Sequence, residues 1–177
     1  MNAATLMALL LNCAPQVHPV TAQALVQTES ALNPWAIGVV GGQLARQPSN
    51  LAQALATADA LRSRGLNFSV GLAQINVGNF DKLGLTLRTA FEPCANLTAM
   101  QRVLIGCLDH ARVGATHPAQ EQAALRQALS CYYSGNFTTG FRHGYVEQVV
   151  RAATRQAAVI GPGQPGSPST TVPLKES

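Results

Sequence analysis

Apolar residues along this chain recur at helical spacing between proline and glycine breaks, and one of the stripes they form ends in an acid. The segment Pro19 to Ser30 reads PVTAQALVQTES, with Ala22, Leu25 and Val26 at i, i+3 and i+4 and Glu29 at the next position of the same face. A carboxylate partly withdrawn from water favours its neutral form. Its pKa is therefore expected to rise from about 4.3 toward ~6 to 7, the range that suits a general acid near neutral pH. A helix-end cap or a structural ion pair would use the same position differently.

The remaining stripes predict a mainly α chain. MNAATLMALLLNCAP reads as a first helix broken at Pro15, and Asn33-Pro34 ends the segment after Glu29. Trp35 to Val40 and Gln43 to Arg46 flank Gly41-Gly42, a pattern that predicts a small β-hairpin. Ser49 or Asn50 can cap a helix running to Arg64 and stopping at Gly65, with Asp59, Arg62 and Arg64 on a solvated face. Asn96 opens the most amphipathic helix, which carries Leu97, Met100, Leu104, Cys107, Leu108 and Ala111 on one stripe and closes at Gly114. His117-Pro118 starts a helix with Leu125, Ala128, Leu129 and Tyr132 on one face, and a last helix spans about Gly144 to Val159. From Gly161 the chain reads GPGQPGSPSTTVPLKES, too rich in Pro, Gly and Ser to build a core. Residues 1–160 are thus expected to form one α+β domain, with 161–177 a disordered tail.

Composition narrows the classes further. With 177 residues, 47% hydrophobic and 11% charged, the chain has the material for one real core, and no run approaches the ~20 apolar residues of a membrane span. The net charge of +4 suits an anionic polymer, but the basic residues are scattered without interleaved aromatics, so nucleic acid is not an expected partner. Neither a glycine-rich phosphate loop nor a histidine cluster is visible, and no metal or other cofactor is expected. The first residues carry no Lys or Arg before the short run Leu6 to Leu11 and no small-x-small site after it, so they read as a helix and not as an export signal. Cys13, Cys94, Cys107 and Cys131 form an even set without a CxxC pair, which allows three disulfide pairings. The helical stripe turns Cys107 inward and Cys131 directly precedes Tyr132, which favours Cys107 with Cys131 and Cys13 with Cys94, in an oxidising compartment. Buried free thiols are the alternative.

Three short stretches complete the picture: Glu29-Ser30, GLAQIN at Gly71 to Asn76, and YYSGN at Tyr132 to Asn136. In that order they resemble the ES, GLMQ-type and AYNAG-type motifs of the lysozyme-like lytic transglycosylases. With HPVTAQALVQTESALNPWAIGVVGG, FEPCANL and ALSCYYSGNF around them, the chain is similar to the small VirB-type transglycosylase subunits of type IV secretion and conjugation systems, over about Cys13 to Val150. The resemblance implies a lysozyme-like domain with a β-structured lobe, here the hairpin, beside a sugar-binding groove. It also implies a monomer acting in the periplasm on peptidoglycan glycan strands, alongside secretion-system components. Glu29 is then the catalytic acid, which protonates the leaving oxygen of the β-1,4 bond between N-acetylmuramic acid and N-acetylglucosamine. It next serves as base for the muramic acid 6-hydroxyl, giving a 1,6-anhydro product. Ser30, Gly71, Gln74, Asn76, Tyr132 and Asn136 are the implied substrate-binding positions, with Gln74 facing the glutamate and the Tyr132 phenol bonding Glu29 or the sugar. Tyr133 and Ser134 depart from the AYNAG pattern, which leaves Tyr133 without an assigned role. Trp35 either stacks on a sugar or packs as ordinary core.

Two rival readings share these residues: a hydrolytic lysozyme, and a wall-binding assembly subunit without activity. Hydrolysis usually needs a second carboxylate across the bond. Candidates are few. Asp59 lies on a charged face, Glu92 precedes Pro93, Asp109 opposes the apolar stripe, and Glu121, Glu147 and Glu176 come late. Asp81 alone is near a motif, and it reads most simply as a turn or cap residue.

Overall fold

The computed structural model describes residues 1–113 and 117–160; the expected tail at 161–177 and the expected helix stop at Gly114 lie outside the described residues. Helix α1 (Ala3–Cys13) is capped by the Asn2 side chain, which accepts from Thr5 N–H. Helix α2 (Pro19–Ser30) begins with proline at its first turn, where the missing N–H is harmless, and ends as Ala31 and Leu32 swing into the left-handed region at φ 49° and 65°. Ala22, Leu25 and Val26 are fully buried, as their spacing requires. Helix α3 (Leu51–Ser63) is capped by Asn50, whose side chain accepts from Gln53 N–H, and its Asp59–Arg62 pair lies in solvent.

The β lobe is a three-stranded antiparallel sheet in the order β1 (Ile37–Val39), β2 (Phe68–Val70), β3 (Ile75–Asn76). It corrects the predicted hairpin. The chain does turn at Gly41-Gly42, but Gln43 to Arg46 form no strand; β1 pairs with β2, Ile37 opposite Val70 and Val39 opposite Phe68. The cause is Gln47, whose side-chain amide takes both the N–H and the carbonyl of Ile37 at 2.9 Å each and so fills the edge where a returning strand would pair. The hairpin of the lobe is β2–β3, and its connection is residues 71–74.

Beyond the sheet, a 3₁₀ turn (Val77–Asn79) and two single-turn helices, α4 (Phe80–Leu83) and α5 (Leu87–Ala90), lead into α6 (Pro93–Ala111). One turn is too short to show a helical period, which is why neither α4 nor α5 stands out in the sequence. Helix α6 starts at Pro93 and not at Asn96, since proline with Glu92 before it is a competent first turn, and Asn96 lies fully buried in its interior. Of the predicted stripe, Leu97, Met100, Leu104, Cys107 and Leu108 are buried and Ala111 is half-buried.

This helix is the centre of the fold, packed against α1 and against α7 (Pro118–Ser134). Both expected disulfides are present, Cys13–Cys94 tying α1 to α6 and Cys107–Cys131 tying α6 to α7. They close loops with sequence separations of 81 and 24 residues, for which chain entropy gives about 4.5 and about 3.4 kcal/mol of constraint on the unfolded chain. A short α8 (Thr139–Arg142) and the long α9 (Tyr145–Ile160) complete the domain, with α9 laid along α2. Among the described residues no helix is long and apolar enough to cross a membrane.

Candidate active site

A cleft of about 680 Å³ opens between the β lobe and the helices, and Glu29 is the only carboxylate among the described residues that line it. The α2 stripe delivers Glu29 to the end of the helix with aliphatic side chains behind it. Its edge remains in contact with the cleft, yet the carboxyl group is deep enough that burial raises its pKa from the ordinary 4.5 to about 7. The Tyr145 hydroxyl donates a short hydrogen bond to Oε1 and opposes part of that rise. Among the described residues the Tyr145 bond to Oε1 is the side-chain hydrogen bond that the Glu29 carboxyl receives.

Tyr145 is the first residue of α9 and is buried. Burial and the Glu29 charge push its phenol well above the ordinary tyrosine range, so it remains a donor. The Tyr133 ring stacks on it with centroids 4.6 Å apart, and His143 meets Tyr133 edge-on. Tyr133 and His143 therefore form an exposed aromatic rim over the acid and its partner, which gives Tyr133 a location that the motif could not.

The opposite wall is residues 71–74. Gly71 has φ +81°, and a Cβ there would drive into the Asn96 side chain and stand 2.9 Å from the Ala90 carbonyl. Asn96 accepts from Ala73 N–H at 2.8 Å and donates to the carbonyls of Val70 and Ala90, satisfying three backbone groups from inside the core. Gln74, also left-handed at φ 49°, donates to the carbonyls of Ala36 and Gly71, while its Oε1 lies so close over Gly38 that a Cβ on that residue would sit 2.7 Å from it. Tyr132, reaching over from α7, donates to the Ala73 carbonyl at 2.6 Å and not to Glu29. Burial, then the Glu29 charge, raises its pKa as well.

Glu29, Gln74, Asn76, Tyr132 and Tyr133 all line the cleft. Asn76 holds the strand end by accepting from Gly78 N–H and donating to Asn67 and Ser69. Gly71 lies beneath the wall that carries Gln74. Ser30 bonds the Val26 carbonyl within its own helix, and Asn136 accepts from the N–H groups of Thr138 and Thr139; neither is among the lining residues. Trp35 is half-buried against the core and is not among them either.

Two residues at the centre of this geometry escape the motif reading. Tyr145 shares a buried flank with Val149 and Ala152, at i, i+4 and i+7, so the apolar spacing of the last helix includes it. Asn96 stands four residues before Met100 on the buried stripe of α6, the same polar-on-apolar signal that marks Glu29. A helix-start reading absorbs it.

Residues 10–148 match the transglycosylase SLT domain model. The chain is 49% identical over 156 residues to the type IV secretion system protein virB1 of Brucella suis biovar 1 (strain 1330), an alignment covering 84% of this chain and 65% of that one. It is 41% identical over 144 residues to the protein virB1 of Agrobacterium fabrum (strain C58 / ATCC 33970), covering 80% and 56% respectively. The chain thus spans less than two thirds of the length of these relatives. No solved structure matches it.

Proposed function

The chain belongs to the transglycosylase SLT domain family, and from that premise we propose that it is a lytic transglycosylase that cleaves the β-1,4 bond between N-acetylmuramic acid and N-acetylglucosamine without water. The observation that carries this reading is a cleft carboxylate, alone of its kind among the described lining residues, with a pKa near 7. Near neutral pH a good fraction of Glu29 is protonated. It gives that proton to the leaving O4 of the N-acetylglucosamine as the C1–O4 bond breaks. The resulting carboxylate accepts the proton of the muramic acid 6-hydroxyl as O6 closes on C1, so the acid is regenerated and a 1,6-anhydro end is formed. Tyr145 steadies the ionised intermediate state through its hydrogen bond to Oε1.

A hydrolase would need a second group to activate water, and Asp81, at the start of α4, does not line the cleft. An internal hydroxyl has no such need, since its effective molarity can reach about 10⁵ M or more. In this reading residues 1–160 act as a monomeric catalytic domain on peptidoglycan glycan strands. The virB1 relatives support a place beside a type IV secretion system, opening the wall locally, and the two disulfides support the periplasm. Ser30, Gly71, Gln74, Asn76, Tyr132 and Asn136 serve to form or hold the sugar site.

Mass spectrometry of a peptidoglycan digest tests the reaction directly. Anhydro products weigh one water less than hydrolysis products, and a digest of mainly reducing ends would make the protein a muramidase. Glu29→Gln keeps the shape but has no proton to give, and is expected to lower turnover by about 10² to 10⁴-fold while glycan binding persists. Unimpaired release by that variant would leave only a wall-binding role for the cleft acid.

A further inference from the structure

Beyond Asn79 and Val103 the cleft continues into a side pocket of about 480 Å³, and both residues line both spaces. The charge of this extension differs from that of the cleft. Lys82, Arg102 and His110 line it, with no aspartate or glutamate among the described lining residues. The neighbouring acids Asp81 and Asp109 lie on the same helices but do not line it. None of the three basic side chains takes part in an ion pair among the described residues.

Arg102 is already oriented: its two terminal nitrogens donate to the carbonyls of Leu83 and Lys82 at 3.0 and 3.1 Å. That uses two of the five guanidinium donors and holds the positive charge at the pocket wall without neutralising it. Lys82 is exposed and makes no hydrogen bond among the described residues, so its ammonium is free to close on a ligand. The Cys107–Cys131 disulfide forms part of the lining and fixes α6 to α7 there. A pre-set guanidinium, a free ammonium and a covalently braced wall suit a small anion carried on a branch of whatever occupies the cleft.

We propose that this side pocket is a carboxylate-binding annexe that holds the free acid groups of the peptide branch on muramic acid, so that the protein selects peptide-bearing glycan over bare glycan. The inference rests on the reading of the cleft as a glycan site. The two spaces adjoin at Asn79 and Val103, and an extended branch of four residues spans about 13 Å. Carboxylates are also the groups that an oriented guanidinium beside an ammonium distinguishes best from the neutral hydroxyls and acetamides of the sugar backbone.

The test uses the full chain with Glu29→Gln, so that ligands survive, and calorimetry with three tetrasaccharides: peptide-bearing with free carboxylates, the same with carboxylates amidated, and peptide-free. The free-acid ligand is expected to bind about fivefold more tightly than the amidated one, and Lys82→Glu is expected to erase that difference. Lys82→Met, which reverses no charge, should erase part of it. In the otherwise native protein Lys82→Glu should lower kcat/KM on peptide-bearing strands by about the same factor and leave bare strands unchanged. Equal affinity for free-acid and amidated ligands, or an equal loss on both kinds of strand, would overturn the annexe and leave the cleft reading intact. A charge preference in binding without turnover of any strand would overturn the enzymatic reading and keep the annexe. Absence of binding to all three ligands would overturn both.

Discussion

On the helical side of the cleft, Glu29 meets a single phenol and is otherwise backed by aliphatic side chains; on the β side, residues 71–74 present amide and carbonyl groups that are bonded several times over. The first wall buries a carboxyl group against aliphatic side chains, and that burial lifts the Glu29 pKa to about 7 against the opposing hydrogen bond from Tyr145. The second wall is saturated: Asn96, Gln74 and Tyr132 together occupy the carbonyls of Ala36, Val70, Gly71, Ala73 and Ala90 and the N–H of Ala73. A reacting group must change its protonation cheaply, so its surroundings stay few and soft. The β-side wall is crowded with fixed partners instead, which holds its shape.

The saturated wall is the more costly to break. Asn96→Leu keeps roughly the same volume but strands one N–H and two carbonyls in the core, and is expected to destabilise the protein by about 4 kcal/mol, read as a shift in the chemical denaturation midpoint. A change below about 1 kcal/mol would mean that the amide network contributes little to this wall.

The soft wall shows itself through pH. Because the folded state holds the Glu29 proton more tightly than the unfolded chain does, the contribution of Glu29 to stability is fully present below about pH 4.5, falls as pH rises through about 4.5 to 7, and levels off above that. The full drop is at most about 3 to 4 kcal/mol, less to the extent that the cleft edge of the carboxyl still sees water. Glu29→Gln removes the titrating group, so its melting temperature should exceed that of the native protein at pH 8 and approach it at pH 5. Parallel pH profiles for the two proteins would contradict the buried acid.

The smallest effect isolates the phenol. Tyr145→Phe removes the one hydrogen bond that lowers the Glu29 pKa, so the alkaline limb of the activity profile should move to higher pH, with a stability change of only about 1 kcal/mol. An alkaline limb that stays in place would dissociate Tyr145 from the acid and leave it a packing residue.

Much of this was legible before the structure. The helices α1, α2, α3, α7 and α9 follow from stripes and caps, and the disulfide pairing from the inward turn of Cys107 and the place of Cys131 beside Tyr132. Glu29 is visible because an acid on an apolar face is locally anomalous. Long-range choices are not encoded in that way. Whether Tyr132 bonds Glu29 or the Ala73 carbonyl depends on how α7 meets a loop 59 residues away, and the edge of β1 that a returning strand would use is filled by one glutamine side chain. Tyr145 lies 116 residues from the acid that it serves, and no local pattern links them.

That glutamine has a further consequence. A strand at the margin of a sheet is an invitation to other chains, since its unused N–H and C=O groups can template another strand and begin aggregation. Here Gln47 occupies both groups of Ile37, and the Gly42 N–H takes the Val39 carbonyl. The outer margin of β1 is thus blunted by its own loop. Partners reaching the β1 margin must bind through side chains, because β1 offers little backbone for a foreign strand to join.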